Sequence, residues 1–307
     1  NFRLRISDNL AHIALIYTER TPEKEVLLHY SLMNISLQEI AHKDVQIAVQ
    51  YERFMIQDLI LGNEKELFML TGNIGKERNK KVQNHYSLYH LQDSVLYDFP
   101  LPDSLSVKSA FLTYDRVADN ARVTGFFGES ETYGVFGTFF YQLTEQRDSA
   151  ALVVSEFTDR FVNEVNINNR NGGAISEGFN ILAAIPRSDG GIMLIAEQED
   201  IATEDDIILV NGIPQSTSKN IYNFNELLVL NYDAEGFMDW NKLIIKNQTT
   251  VNDAGYYSSI VIFVGEKFVQ LLYNDQLRSS GDVMQYTIYN NGYVEANKLL
   301  KAQLDYV

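Results

Sequence analysis

Cysteine is absent from the 307 residues, tryptophan occurs once and proline five times. Without thiols there is no disulfide framework, no thiolate zinc site and no cysteine nucleophile, and the redox compartment cannot be read from the chain. No run of about 18 apolar residues exists, so no membrane-spanning helix is expected. Asn1 does not open a basic, apolar and small-residue signal peptide. Basic residues are the scarce charge: 25 Lys and Arg stand against 41 Asp and Glu, a formal net charge of −16. A polyphosphate ligand requires a basic stripe, and none is present, so nucleic acid is not an expected partner.

Local catalytic patterns are missing too. There is no G-x-S-x-G elbow and no glycine pattern that would cradle a phosphate, so no cofactor is expected. His12, His29, His42, His85 and His90 form no H-E-x-x-H or other compact ligand spacing. They are expected to be isolated structural or surface histidines, and no metal ligand is assigned. His85 and His90, at an odd separation, point to opposite faces of a strand.

What the chain does contain is turns. Short apolar or alternating runs rich in β-branched and aromatic residues dominate, with hardly any sustained helical spacing, which is an all-β pattern. Examples are Asp58-Leu59-Ile60-Leu61 followed by Glu66-Leu67-Phe68-Met69-Leu70, and Ile192 to Ala196 followed by Leu227 to Leu230. Gly, Asn and Asp tolerate the positive φ of hairpin corners. They fall in two alternating series. One lies at Asp8-Asn9, Gly62-Asn63, Asp119-Asn120, Asp189-Gly190 and Gly265-Glu266; the other at Asn34, Asp93, Glu145 to Asp148, Asp233 to Gly236 and Asn290 to Gly292. The spacing from first to second turn is 26, 30, 26, 44 and 25 residues, the outlier being explained by a polar segment of 20 residues between Ile201 and Asn220.

The expected architecture is therefore a β-propeller of four-stranded antiparallel blades in a single domain over 1–307. Five units are visible, at about residues 2–41, 55–99, 107–157, 179–245 and 258–300. A lone four-stranded meander cannot cover both its faces, whereas stacking buries each sheet on its neighbours. Five blades close alone or form part of a six- or seven-bladed ring. A β-sandwich would also show short strands and frequent turns; the regular alternation of the two turn series favours the propeller.

In such a blade the tight turns share one face. The long segments Gly72 to Asn84, Asn163 to Gly178 and Glu197 to Asn225 fall on the other, where binding is expected. The loop holding Lys76, Arg78, Lys80 and Lys81 is basic, whereas Glu197, Glu199 and the acids that follow up to Asp206 make the other acidic. Lys76, Arg78, Lys80, Lys81, Glu197 and Glu199 are the loop-contact candidates. The acidic stretch lacks the alternating spacing and glycine bend of an EF-hand, so calcium is not assigned. Asn252, Asp253, Tyr256 and Tyr257 precede the innermost strand of the fifth unit. Aromatic faces beside orienting polar groups suit a sugar or peptide. The plainer alternative is a turn whose tyrosines pack between blades, and Trp240 is expected to be a packing residue. Asp58 and Asp115 lie on or at the end of innermost strands. With Asp253 they are the carboxylates to compare with a glycosidase pair, which leaves no local motif.

With Asp58 to Gly62, Arg187 to Gln198 and Asn252 to Ser259 in view, the chain from about Met55 onward resembles uncharacterised exported propeller-like proteins of Bacteroidetes-type bacteria. That resemblance implies export past the inner membrane, to the periplasm or cell surface, and a binding role. It supplies no catalytic residues. Tryptophan-aspartate, Kelch and Asp-box repeats are absent. The functional expectation is a non-enzymatic binding or scaffold propeller that recognises a protein or glycan through its long-loop face. The alternative is a carbohydrate-active enzyme with carboxylates at an axial channel mouth.

Overall fold

The computed structural model describes residues 2–74, 84–99, 101–102, 104–116, 120–130, 134–144, 149–166, 174–210, 213–275 and 281–301. Among the described residues there are twenty-one strands, twenty of which form five consecutive antiparallel meanders, each of four strands in sequence order. The first is β1 (Phe2–Ile6), β2 (His12–Arg20), β3 (Glu25–Asn34) and β4 (Glu39–Gln50); the second is β5 (Phe54–Leu61), β6 (Leu67–Ile74), β7 (Asn84–His90) and β8 (Val95–Asp98). The third comprises β9 (Leu105–Asp115), β10 (Asn120–Glu129), β11 (Gly137–Leu143) and β12 (Ala150–Glu156), followed by helix α1 (Asp159–Val165). The fourth comprises β13 (Phe179–Pro186), β14 (Ile192–Val210), β15 (Ile213–Tyr232) and β16 (Met238–Ile244), with β17 (Gln248–Val251) added on the outer stretch of β15. The fifth is β18 (Val261–Val264), β19 (Phe268–Asn274), β20 (Asp282–Tyr289) and β21 (Val294–Lys301). These are propeller-type blades, and the all-β reading of the sequence holds.

The chain divides into two compact units. One comprises residues 1–175 with 186–192 and 233–237; the other comprises 176–185, 193–232 and 238–307. Within the first, Leu67 and Met69 of β6 pack against Ile16, Leu28 and Ile47 of the first blade. Phe68 and Leu70, pointing the other way, join Leu112, Val123 and Phe139 of the third. Successive strand residues face opposite sides. The unbroken apolar run Leu67 to Leu70 is therefore what a sheet covered on both faces requires. Within the second unit, Met193, Ile195, Leu227 and Val229 of the fourth blade pack on Val269, Leu271 and Ile288 of the fifth. Each fully buried Leu, Ile or Phe contributes roughly 1.5–3 kcal/mol, so these blade-to-blade layers dominate stability.

One turn device recurs. At Asn34–Gln38, Gly62–Glu66, Arg187–Gly191, Asp233–Phe237 and Tyr289–Tyr293, the first residue donates its N–H to the fifth and the fourth donates to the first. The fourth residue takes positive φ: Leu37 59°, Lys65 79°, Gly190 84°, Gly236 89° and Gly292 79°. These are the three-residue hairpins in which a type I turn is followed by a left-handed residue. The Asn, Asp and Gly signals thus marked the turns correctly. At two of them, however, the left-handed position itself carries Leu37 or Lys65. The turns at Asp119 and at Glu145 to Asp148 lie outside the described residues, apart from Asn120 in β10.

Two of the long segments are not simple loops. Glu197 to Asn225 is strand throughout its described part: β14 and β15 run 19 and 20 residues and form a two-stranded ribbon. Ile201, Thr203 to Ile207 and Pro214 to Ser218 are exposed on both ribbon faces. With no core on either side there is no apolar alternation to read, which is why the sequence looks like a polar loop. Asn163 to Gly178 begins inside α1. This helix is capped by Thr158, whose hydroxyl accepts the Phe161 N–H at 3.3 Å, and is anchored by buried Phe161 and Val162. Its seven residues, about two turns, are too few for a helical period to show. Lys76, Arg78, Lys80 and Lys81 lie outside the described residues.

Candidate functional site

The ribbon and the turn at its base are exposed features of the second unit. Beyond the part of β15 that pairs with β16, its outer edge at Ile221–Phe224 is covered by β17. The chain then turns at Asn252. Asn252 donates its backbone N–H to the Asn220 carbonyl at 2.9 Å, and its side-chain oxygen accepts the Asn220 N–H at 2.8 Å. Asn252 takes φ 56°, a left-handed conformation that Asn tolerates better than most residues. Asp253 accepts the Gly255 N–H at 2.9 Å. The Thr250 hydroxyl, together with backbone N–H groups, holds its carboxyl below the usual aspartate range. Gly255, at φ 71°, lies against the Phe224 ring, where an added Cβ would come within 2.7 Å. These contacts tie the turn to the ribbon.

The turn presents Tyr256 and Tyr257, 81% and 65% exposed. Their rings meet edge to face with centroids 5.1 Å apart. The alternative in which these tyrosines pack between blades is therefore corrected: their faces are open to solvent. Glu199, Asp200, Glu204, Asp205 and Asp206 decorate the β14 side, and Glu204 pairs with Lys219 of β15 at 2.8 Å. Charges of this kind blunt a strand edge against indiscriminate pairing. Glu199 accepts from the Asn180 amide at 3.1 Å.

Glu197 is not a loop residue. It is 1% exposed and ion-paired with Lys246 at 2.6 Å, itself 0% exposed in its side chain. Lys246 also donates to Gln248 Oε1 at 2.6 Å and to the Phe224 carbonyl at 2.9 Å. Gln248 accepts from the Ser259 N–H at 2.8 Å, and the Ser259 hydroxyl donates to Glu197. Burial pulls the Lys246 ammonium below the usual lysine range, against the opposing pull of Glu197. This network joins the base of the ribbon to the end of the tyrosine turn. No local pattern predicted it, because its members lie up to 62 residues apart.

Asp58 and Asp115 are held elsewhere, in the first unit. Asp58 pairs with Arg5 at 3.0 Å and accepts the Leu59 N–H at 2.8 Å, beside a bulge in β5. Asp115 is buried and pairs with Arg122 at 2.6 Å; Arg122 also donates to Gln142 Oε1 and to the Gly190 carbonyl. Both carboxylates thus anchor an arginine. Trp240 fulfils its packing expectation, donating from Nε1 to the Asn290 carbonyl at 3.0 Å and lying against Gly292. His85 and His90 occupy alternate-facing positions of β7, as expected. The expectation of isolated histidines fails at His29 and His42. With Asp44 they lie on one face of the first blade, where facing strands bring together residues 13 to 15 apart in sequence. No helix is long and apolar enough to cross a membrane among the described residues.

No protein-family model and no curated protein matches the chain. Among solved structures it is similar to polysaccharide lyase Uly1, at 9% identity and TM-score 0.37, covering 98% of this chain and 78% of that one. It is also similar to the β-propeller domain of the Trilobed protease from Pyrococcus furiosus, at 10% identity and TM-score 0.33, covering 97% and 85%. A third similarity is to α-L-arabinofuranosidase from Lactobacillus brevis, at 10% identity and TM-score 0.39, covering 99% and 95%. At these scores the similarities bring no activity to this chain, and the architecture stands on its strand pairing.

Proposed function

We propose that the protein is a binding module that recognises a protein or glycan through the β14–β15 ribbon and the Tyr256–Tyr257 turn. The observation that carries this reading is the ribbon itself. Two strands paired beyond the sheet, exposed on both faces, gain little from a core, and isolated two-stranded ribbons are marginal in water. An ordered ribbon of this kind is a surface for another molecule to cover. Its acids favour a partner with basic or hydroxyl-rich groups, and the adjoining tyrosine faces offer stacking surface at small entropic cost. The arginine pairing of Asp58 and Asp115 supports structural roles for them. Export, which the sequence resemblance implies, would present the ribbon to extracellular ligands.

The test is a glycan-array screen of the full chain with a reducing-sugar release assay on the same glycans, repeated with Y256A/Y257A and with residues 203–217 excised. Binding without release, weakened at least tenfold in both variants, supports the reading. Sugar release overturns it in favour of a carbohydrate-active enzyme. Binding that neither variant alters overturns the placement. Silence in both assays leaves a protein as the ligand class to be screened against the same variants.

A further inference from the structure

We infer that the first blade carries a divalent transition-metal site formed by His29, His42 and Asp44. Asp44 lies directly opposite His29 in the β3–β4 register, and His42 lies opposite Ser31, so the three side chains stand on one face. One Asp44 carboxylate oxygen sits 2.7 Å from His29 Nδ1 and 3.2 Å from His42 Nε2. All three potential ligand atoms lie within 4.8 Å of one another. Metal–ligand bonds of about 2.0–2.2 Å place tetrahedral ligand atoms roughly 3.3 Å apart, so small rotations suffice to enclose an ion.

The surroundings match what a ligating histidine needs. A metal-bound imidazole is oriented by a partner at its other nitrogen. Ser31 Oγ lies 3.0 Å from His42 Nδ1 and supplies that partner; the Glu19 carboxylate, 3.7 Å from His29 Nε2, is near but outside hydrogen-bond distance. His29 is further held by stacking on Tyr17, with ring centroids 4.5 Å apart. It is nearly buried, whereas His42 and Asp44 are about half exposed, which leaves the solvent side open to a water ligand. Two imidazoles and one carboxylate select zinc-like ions over calcium or magnesium, which take oxygen ligands.

The experiment uses the tag-free full chain, titrated calorimetrically with Zn²⁺, and with Co²⁺ followed by visible absorption. One Zn²⁺ per chain, a Co²⁺ spectrum of low coordination number and no competition from Ca²⁺ are expected. H42A and D44A, both at half-exposed positions, should each weaken Zn²⁺ binding at least tenfold while circular dichroism stays unchanged. D44N serves as the second probe should D44A unfold. Absence of micromolar binding, or equal affinity in H42A, D44N and the parent chain, overturns the site.

Discussion

Glu197 and Lys246 form an ion pair at 2.6 Å with both side chains sealed from water. Removing one partner leaves an uncompensated buried charge, which costs far more than the pair contributes net. K246M and E197Q are each expected to lower unfolding free energy by about 3–5 kcal/mol, and the double variant E197Q/K246M by clearly less than their sum. Urea denaturation of the three variants measures this. Additive losses would show that the pair is not a coupled unit.

The carboxylates Asp115 and Asp58 should separate in a stability measurement. Asp115 and Arg122 are buried together, whereas the Arg5–Asp58 pair keeps 39% and 26% side-chain exposure. R122M is expected to cost about 3–5 kcal/mol. D58N, at a partly solvated pair, is expected to cost no more than about 1 kcal/mol. Equal losses in parallel urea melts would contradict the burial argument.

Alkaline stability should be limited by buried tyrosine. Burial, then Asp98 and Tyr97, pushes the Tyr141 hydroxyl up to about 12, and the group donates to the Asp98 carbonyl at 3.0 Å. The folded state keeps this proton to higher pH than the unfolded state does. Stability from Tyr141 is therefore full below about pH 10 and is lost as pH rises through about 12. Absorbance titration at the phenolate band should show late ionisation coupled to unfolding, and Y141F should flatten the loss over that window. An unchanged slope in Y141F would refute the assignment.

The recurring hairpins predict opposite signs for two glycine exchanges. Lys65 holds φ 79°, a conformation costing an L-residue about 1–2 kcal/mol, so K65G should gain up to about 1 kcal/mol after glycine's entropy is counted. Gly236 holds φ 89° and faces the Phe140 ring, where a Cβ would lie 3.0 Å from Cγ, so G236A should lose at least about 1 kcal/mol. Thermal melts of both variants test the pair of signs together.

Much of the fold was legible because turns and alternation are local. The five blades follow from Asn, Asp and Gly at hairpin corners and from apolar runs such as Leu67 to Leu70, whose full burial is set by chemistry within a few residues. The ribbon was legible only as a length, the polar excess between Ile201 and Asn220. A strand exposed on both faces buries nothing, and so carries no hydrophobic period. The tyrosine turn was visible as a composition, but exposure of its rings depends on what packs around it.

Sequence alone therefore determined the all-β blade architecture, the turn positions and the exclusion of thiol chemistry, all properties of short windows or of composition. Tertiary structure decided the rest. It paired Asp58 and Asp115 with arginines, buried Glu197 against Lys246, and set His29 and His42 around Asp44. Each of these depends on strand register, which brings together residues that no local spacing connects.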